Sequence, residues 1–217
     1  MSFFELMQES LPILLQGLVL TLELAGLSLA IAMVIGVFAA LMGLSKHRIL
    51  RLINQAFVAI IRCSPLLVQT FFIYFGVTGA LGIRMSAFTA GVIALSLNAG
   101  GYLSEIFRGG IQAVDPGQSE AARSLGLSAR QTTWRIVIPQ AIRICIPSVV
   151  NQWCITIKDT SIISVIGLAE LTKIGQQIIA RTYQSFEVWI IVGAMYFIVI
   201  WLLTVLARFV ERKVSLG

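Results

Sequence analysis

The chain has 217 residues, of which 58% are hydrophobic and 12% charged, with a mean hydropathy of +0.91. A soluble domain carries about 25% charged residues, so the polar surface is too small to cover a water-soluble globule, and the chain reads as an integral membrane protein. A net charge of +6 would point to nucleic acid in a soluble protein; here the excess is expected in cytoplasmic loops, with no nucleic-acid partner.

Each membrane-spanning helix uses roughly 20 residues. The length therefore fits one all-α transmembrane domain over 1–217 with about five spans and no large soluble domain. The first basic residue is Lys46, and Glu5 and Glu9 stand where a signal peptide would be positive, so no secretory signal is expected.

The first charge-free run is 24–45, on a helix expected to begin near Leu11. Ala32, Gly36, Ala40 and Gly43 share one face, where small side chains let helices approach closely. His47 follows in a basic cluster and reads as solvated at the interface. The segment 51–62 reads as a separate helical piece ending with Arg62 at the headgroups. Pro65 opens the second run, 63–83. It should break the helix there and free carbonyls to face a cavity or a neighbouring helix.

The third run is 85–104. Gly91, Ala94, Asn98, Tyr102 and Glu105 lie on one helical face, which marks either a tight helix interface or a water-lined path. Glu105 and Arg108 are three apart and can pair. The segment 108–143 is the longest outside the membrane. Gly109-Gly110 is expected to release the chain from the third span. Asp115-Pro116-Gly117 signals a turn. A short helix is expected over 119–125, with Glu120 near its positive N-terminus and Gly126 as a left-handed cap. Ser128 and Gln131 form a capping box for the next helix. Ala121, Ala122, Leu125 and Leu127 make an apolar knob shaped for a partner's groove.

The fourth run, 144–169, is interrupted by Lys158 and Asp159. They lie 15 and 16 residues beyond Arg143, roughly 22–24 Å along a helix and past the middle of a ~30 Å core. Ionisable groups at that depth normally mark a functional pathway. Adjacent residues point about 100° apart, so each needs its own partner. Ser148, Gln152, Thr156 and Asp159 share a face. The fifth run is 188–207. The three cysteines, Cys63, Cys145 and Cys154, have no CxxC or metal spacing and read as buried small hydrophobes. No metal or cofactor is expected.

Lys46, Arg48, Arg51, Arg108, Arg123, Arg130, Arg135, Arg143, Arg208, Arg212 and Lys213 fall on one side of the spans; Arg84, Lys173 and Arg181 fall on the other. The bias places the N-terminus outside and the C-terminus in the cytoplasm. There is no HExxH, no GxSxG and no histidine within a span, which argues against an intramembrane enzyme.

Glu120-Ala121-Ala122, Gly126 and Ile138-Pro139 resemble the EAA signature of membrane subunits of ABC-type importers. Arg62-Cys63-Ser64-Pro65-Leu66-Leu67-Val68-Gln69, Gly117-Gln118, Pro139-Gln140-Ala141 and Lys158-Asp159-Thr160-Ser161 are similar to the subfamily serving histidine, glutamine, arginine, cystine and opine uptake. Ile138 stands where that family usually has Leu. The resemblance covers about 15–210. It implies a type I importer fold in the bacterial inner membrane, with a coupling segment over about 109–135. Glu120, Ala121, Ala122, Leu125 and Gly126 would meet a partner ATPase, and Arg62 and Pro65 would have structural or gating roles. It also implies a second membrane subunit, identical or paralogous, and an extracytoplasmic amino-acid-binding protein. The chain has no GxxxxGK[ST] segment, so ATP chemistry would belong to the partner.

Asp159 is read as the one deep carboxylate and is expected to take a substrate ammonium. Lys158, or backbone N–H groups near Pro65, would take the carboxylate, with Gln152 and Asn98 at the side-chain end. A neutral ligand such as glutamine is then favoured over arginine or lysine. Alternatively, Lys158 and Asp159 only hold helices together and selectivity rests in the binding protein. A self-powered secondary transporter or channel is the competing class; five spans without visible inverted repeats argue against it.

Overall fold

A computed structural model describes residues 3–215, with side chains to residue 209; the side chains of Arg212 and Lys213 lie outside that range. Among the described residues every regular element is helical. Three helices are long and apolar enough to cross a membrane: α1 (Phe3–Gly43), α5 (Ala87–Gln112) and α10 (Ser185–Ser215). α2 (Arg48–Cys63) is followed by α3 (Leu66–Phe71), which runs through a π-helical turn (Phe72–Val77) into α4 (Thr78–Leu81). Together the pair Arg48–Cys63 and Leu66–Leu81 is apolar enough to cross, but it bends by 106° at the break. α6 (Pro116–Ser124) and α7 (Ala129–Thr132) form the connecting segment. A second π-helical turn (Thr133–Val137) then leads into α8 (Ile138–Asp159). A 3-10 turn (Thr160–Ile166) and α9 (Leu171–Thr182) precede α10.

Two of the expected runs change shape. α1 begins at Phe3, not near Leu11, and at ~1.5 Å per residue its 41 residues reach about 60 Å. Its N-terminal half is held by protein: Leu6 and Leu14 are buried with Leu171, Ile174 and Val188. The fourth run does not continue as α-helix to residue 169. α8 ends at Asp159, and Gly167 reverses the chain at φ +89°. α8 carries Arg143, Lys158 and Asp159 and is not among the three apolar spans. A helix of this polarity is tolerated where its polar face meets protein or water, and its Gln152 and Thr156 are buried.

α1 and α5 pack closely, as the small-residue face of α1 requires. Ala32 and Ala40 are buried, and a Cβ on Gly36 would lie 2.7 Å from Leu103 Cβ. Ser96 Oγ donates to Ser28 O at 3.1 Å across the pair. Gly109-Gly110 does not end the third span, because α5 continues to Gln112. Gly110 is instead the contact point with α8, where an added Cβ would overlap Cys145 Sγ; nothing lies within 4 Å of a Cβ on Gly109. Gly110→Ala is therefore expected to lower the melting temperature in detergent, at a cost of about 1–3 kcal/mol from overpacking. Gly109→Ala should be neutral or stabilising by up to about 1 kcal/mol through helix propensity. Equal melting temperatures for the two variants would contradict this packing.

Candidate functional site

Pro65 breaks the second span as expected: Ser64 is extended and α3 starts afresh at Leu66. The carbonyls at the break are not left open. Gln69 Nε2 donates to Ile61 O at 3.0 Å and Ser64 O at 3.1 Å, and Ser64 Oγ donates to Ile60 O at 2.6 Å. One side-chain amide thus recovers the acceptors that Pro65 exposes. α3 has no side-chain N-cap. The N–H groups of its first turn lie at the positive end of the helix dipole.

Asn98 is buried on α5, and its Nδ2 donates to Gln69 Oε1 at 3.2 Å. The small-then-polar face of α5 therefore divides. Gly91 and Ala94 pack tightly, Gly91 against Ile163 of the 3-10 turn. Asn98 is tied to the break, while Tyr102 and Glu105 lie beside polar groups of α2 and α5. Replacing Gln69 with leucine should leave two carbonyls unpaired at about 1–3 kcal/mol each. It is expected to lower thermal stability and to loosen α3, which limited proteolysis between Ser64 and Leu66 would detect.

At the other side of this contact, α3 packs on the 3-10 turn Thr160–Ile166. The N-terminus of α3 and the Lys158-Asp159-Thr160-Ser161 segment therefore belong to adjacent elements. Lys158 is exposed and Asp159 half-buried. Among the described residues neither makes an ion pair or a side-chain hydrogen bond; the one salt bridge there is Glu105–Arg108. Lys158 in the last turn of α8 suits the negative end of the helix dipole, whereas Asp159 opposes it. Asp159 is thus a half-buried carboxylate at a helix C-terminus whose only charge partner is the neighbouring, exposed Lys158. Gln152 is 4% exposed, and its side-chain amide makes no hydrogen bond among the described residues. Thr156 is turned back on the helix, donating to Gln152 O at 2.9 Å.

Asp159 is not the only deep carboxylate. Glu170 is fully buried as the N-cap of α9 and accepts from Thr172 N, Lys173 N and Tyr196 OH at 3.0, 2.8 and 2.9 Å. Thr21 Oγ1 takes the remaining first-turn N–H, that of Leu171, at 3.2 Å. A buried helix start needs all its donors met, and the side chains of Glu170 and Thr21 meet them. Glu170 is thus spent on structure. The position of an acid directly before Leu171-Thr172-Lys173 was the sequence signal for it.

The connecting segment is held by caps. α6 starts at Pro116, earlier than the expected 119, with Asp115 as its N-cap: Asp115 Oδ1 accepts from Gly117 N at 2.8 Å, and Pro116 is preset at the first helical position. Glu120 therefore lies beyond the first turn and is exposed. Gly126 adopts φ +85°. Its N–H donates to Arg123 O at 2.9 Å and that of Leu127 to Ala122 O at 3.1 Å, the Schellman arrangement. The Ser128–Gln131 capping box is present. The apolar knob is smaller than expected, because Ala122 is buried against its own chain while Leu125 is 81% exposed.

Arg62 lies 5.9 Å from the Tyr102 ring centroid and borders a cavity of 490 Å³ between α2 and α5. Cys63 lies on the same cavity and is exposed, unlike Cys145 and Cys154, which are buried.

Residues 32–216 match the family described as the inner membrane component of binding-protein-dependent transport systems. The chain belongs to this family. Its relatives include the glutamine transport system permease protein GlnP of Escherichia coli (strain K12), 38% identical over 208 residues and 95% of each chain. The nopaline transport system permease protein NocM of Agrobacterium fabrum is 42% identical, covering 95% of this chain and 90% of its own. The fold matches the crystal structure of an amino acid ABC transporter with histidines at a TM-score of 0.93 and 40% identity, over 98% of this chain and 99% of that one. This inner membrane component is therefore a multi-pass permease subunit of an ATP-driven importer, and the self-powered alternative is set aside. Two features of the site escaped the sequence reading. Gln69 could have been found as an amide four residues past a helix-breaking proline; the π-helical turns left no local signature.

Proposed function

We propose that this subunit moves a polar α-amino acid into the cytoplasm, with a neutral side chain such as that of glutamine preferred. The observation that carries this reading is Asp159, a half-buried carboxylate at the C-terminus of α8 whose side chain makes no hydrogen bond or close ion pair among the described residues. Asp159 takes the substrate ammonium. Lys158 or the N–H groups at the start of α3 take the carboxylate. Gln152 meets the side-chain end, together with Asn98 through the Oδ1 that its bond to Gln69 leaves free. Glu170 does not compete for the substrate ammonium, since its oxygens are already engaged by Thr172 N, Lys173 N and Tyr196 OH. Two relatives are named for glutamine and nopaline transport, which supports an amino-acid cargo.

In this reading the single transmembrane domain has its N-terminus outside and its C-terminus in the cytoplasm. It pairs with a second membrane subunit and receives cargo from an extracytoplasmic binding protein. The segment over about 109–135 is the coupling element. Glu120, Ala121 and Leu125 face the ATPase, Ala122 anchors α6 to its own chain, and Gly126 sets the turn. Arg62 and Pro65 govern the break between α2 and α3.

Uptake of a radiolabelled amino-acid panel into liposomes containing this subunit, its partner subunits and ATP tests the proposal. Gln152→Glu is expected to shift the ranking toward arginine and lysine by about tenfold, since a close charge pair in a shielded site contributes ~1.5 kcal/mol or more. An unchanged ranking would remove Gln152 from the site; uptake restricted to non-amino-acid solutes would overturn the cargo assignment.

A further inference from the structure

The cavity between α2 and α5 lies at the end of α5 that leads into α6, away from the Asp159 segment in sequence and bordered by different residues. Its volume of 490 Å³ is within the ~300–1,000 Å³ typical of small-molecule sites. Three charged side chains line it: Arg62, Glu105 and Arg108. Arg108 is already committed. Its Nε and Nη2 donate to Glu105 at 3.0 and 2.6 Å, and its Nη1 donates to Gln112 Oε1 at 2.8 Å. Arg62 forms no hydrogen bond among the described residues; it lies over the Tyr102 ring and attracts Glu105 only through longer-range charge. Its planar fork is open for a carboxylate. Glu105 has two oxygens and about four acceptor positions, of which Arg108 uses two.

Asn54 adds a donor. Its Oδ1 accepts from Ser104 Oγ at 3.1 Å, which leaves its N–H groups for the cavity. The space it occupies exists because residue 43 has no side chain: a Cβ on Gly43 would lie 2.6 Å from Asn54 Nδ2.

A simple anion on Arg62 would sit beside the Glu105 carboxylate, and a simple cation on Glu105 would sit beside Arg62. A zwitterion satisfies both at once. We propose that this cavity is a second amino-acid site, facing the ATPase side, in which Arg62 and Asn54 bind the carboxylate of an imported amino acid and Glu105 its ammonium. Product held there ties α2 to α5, the helix that continues into α6, and so slows further uptake. The proposal rests on the reading of that end as the cytoplasmic side and of the cargo as an amino acid.

Cys63 provides the probe. In the nucleotide-free complex of this subunit with its ATPase, a maleimide should alkylate Cys63, while the buried Cys145 and Cys154 react little. L-Glutamine at ten times its Kd should slow that alkylation about tenfold, following 1 + [L]/Kd. Protection should persist in Asp159→Asn. Glutamine loaded inside liposomes should slow uptake, and Ala59→Phe, which fills the cavity, should abolish that effect while leaving uptake into empty liposomes unchanged. Absent protection would overturn the proposal, as would equal protection by inorganic phosphate, which marks a plain anion site. Protection that disappears in Asp159→Asn would place the ligand at the first site and overturn it too. Normal uptake by Asp159→Asn would instead remove the first site while the protection result stands on its own.

Discussion

Asp159→Asn is expected to assemble with its partner subunits and to lose uptake by about ten- to a hundredfold at saturating cargo. The substitution keeps the shape of the side chain and removes its charge. A charge-assisted hydrogen bond contributes about 1.5–3 kcal/mol, and every 1.4 kcal/mol is tenfold. Asp159 makes no close ion pair among the described residues, and the cation it attracts, Lys158, is exposed, so the change leaves no buried cation unpaired. It also relieves a carboxylate that opposes the dipole of α8. The variant should therefore be at least as stable as the parent in a detergent melt while its uptake is lost. That combination separates a substrate role from a structural one: a helix-holding carboxylate would lose stability along with activity. Unchanged uptake would remove Asp159 from the site.

Gly126→Val carries the second large effect. A Cβ on Gly126 meets nothing within 4 Å, so crowding is not the cause. The cost is in the backbone, where φ +85° is disfavoured for a β-branched residue by about 1–2 kcal/mol. Relief comes from abandoning the left-handed turn, which would break the Leu127-to-Ala122 and Gly126-to-Arg123 hydrogen bonds and re-aim α7 relative to α6. Insertion and assembly of the membrane part should be unaffected, while ATP-driven uptake falls to background and the partner's ATPase activity becomes independent of cargo. Gly126→Asn should retain most activity, because Asn tolerates the left-handed region. Glu120→Lys, at an exposed position, should lose uptake with no change in melting temperature. Normal transport by Gly126→Val or Glu120→Lys would refute the coupling role of this segment.

Local chemistry made much of this protein legible in its residues. Long apolar runs required membrane helices. Pro65 dictated a break because a proline lacks the N–H that a continuous helix needs. Gly126, Ser128 and Gln131 marked caps that the structure reproduces. Glu105 and Arg108, three apart on a helix, formed the expected ion pair. Each of these depends on neighbours within about one helical turn, which the sequence lists directly.

What the chain order could not show is which distant groups meet. Gln69 recovers the carbonyls at the Pro65 break and holds Asn98 from another helix. Gly110 serves contact with Cys145 and does not end a helix. Glu170, buried beside Tyr196, is a cap that spends its charge on backbone donors. In a medium without water to satisfy stray polar groups, every donor and acceptor must find its partner inside the protein. Local residues were enough to place the break at Pro65 and the caps at Gly126 and Ser128, while several helix ends depended on packing. Which polar side chains are consumed in that pairing and which, like those of Asp159 and Gln152, make no hydrogen bond among the described residues is set by long-range packing that brings distant helices together.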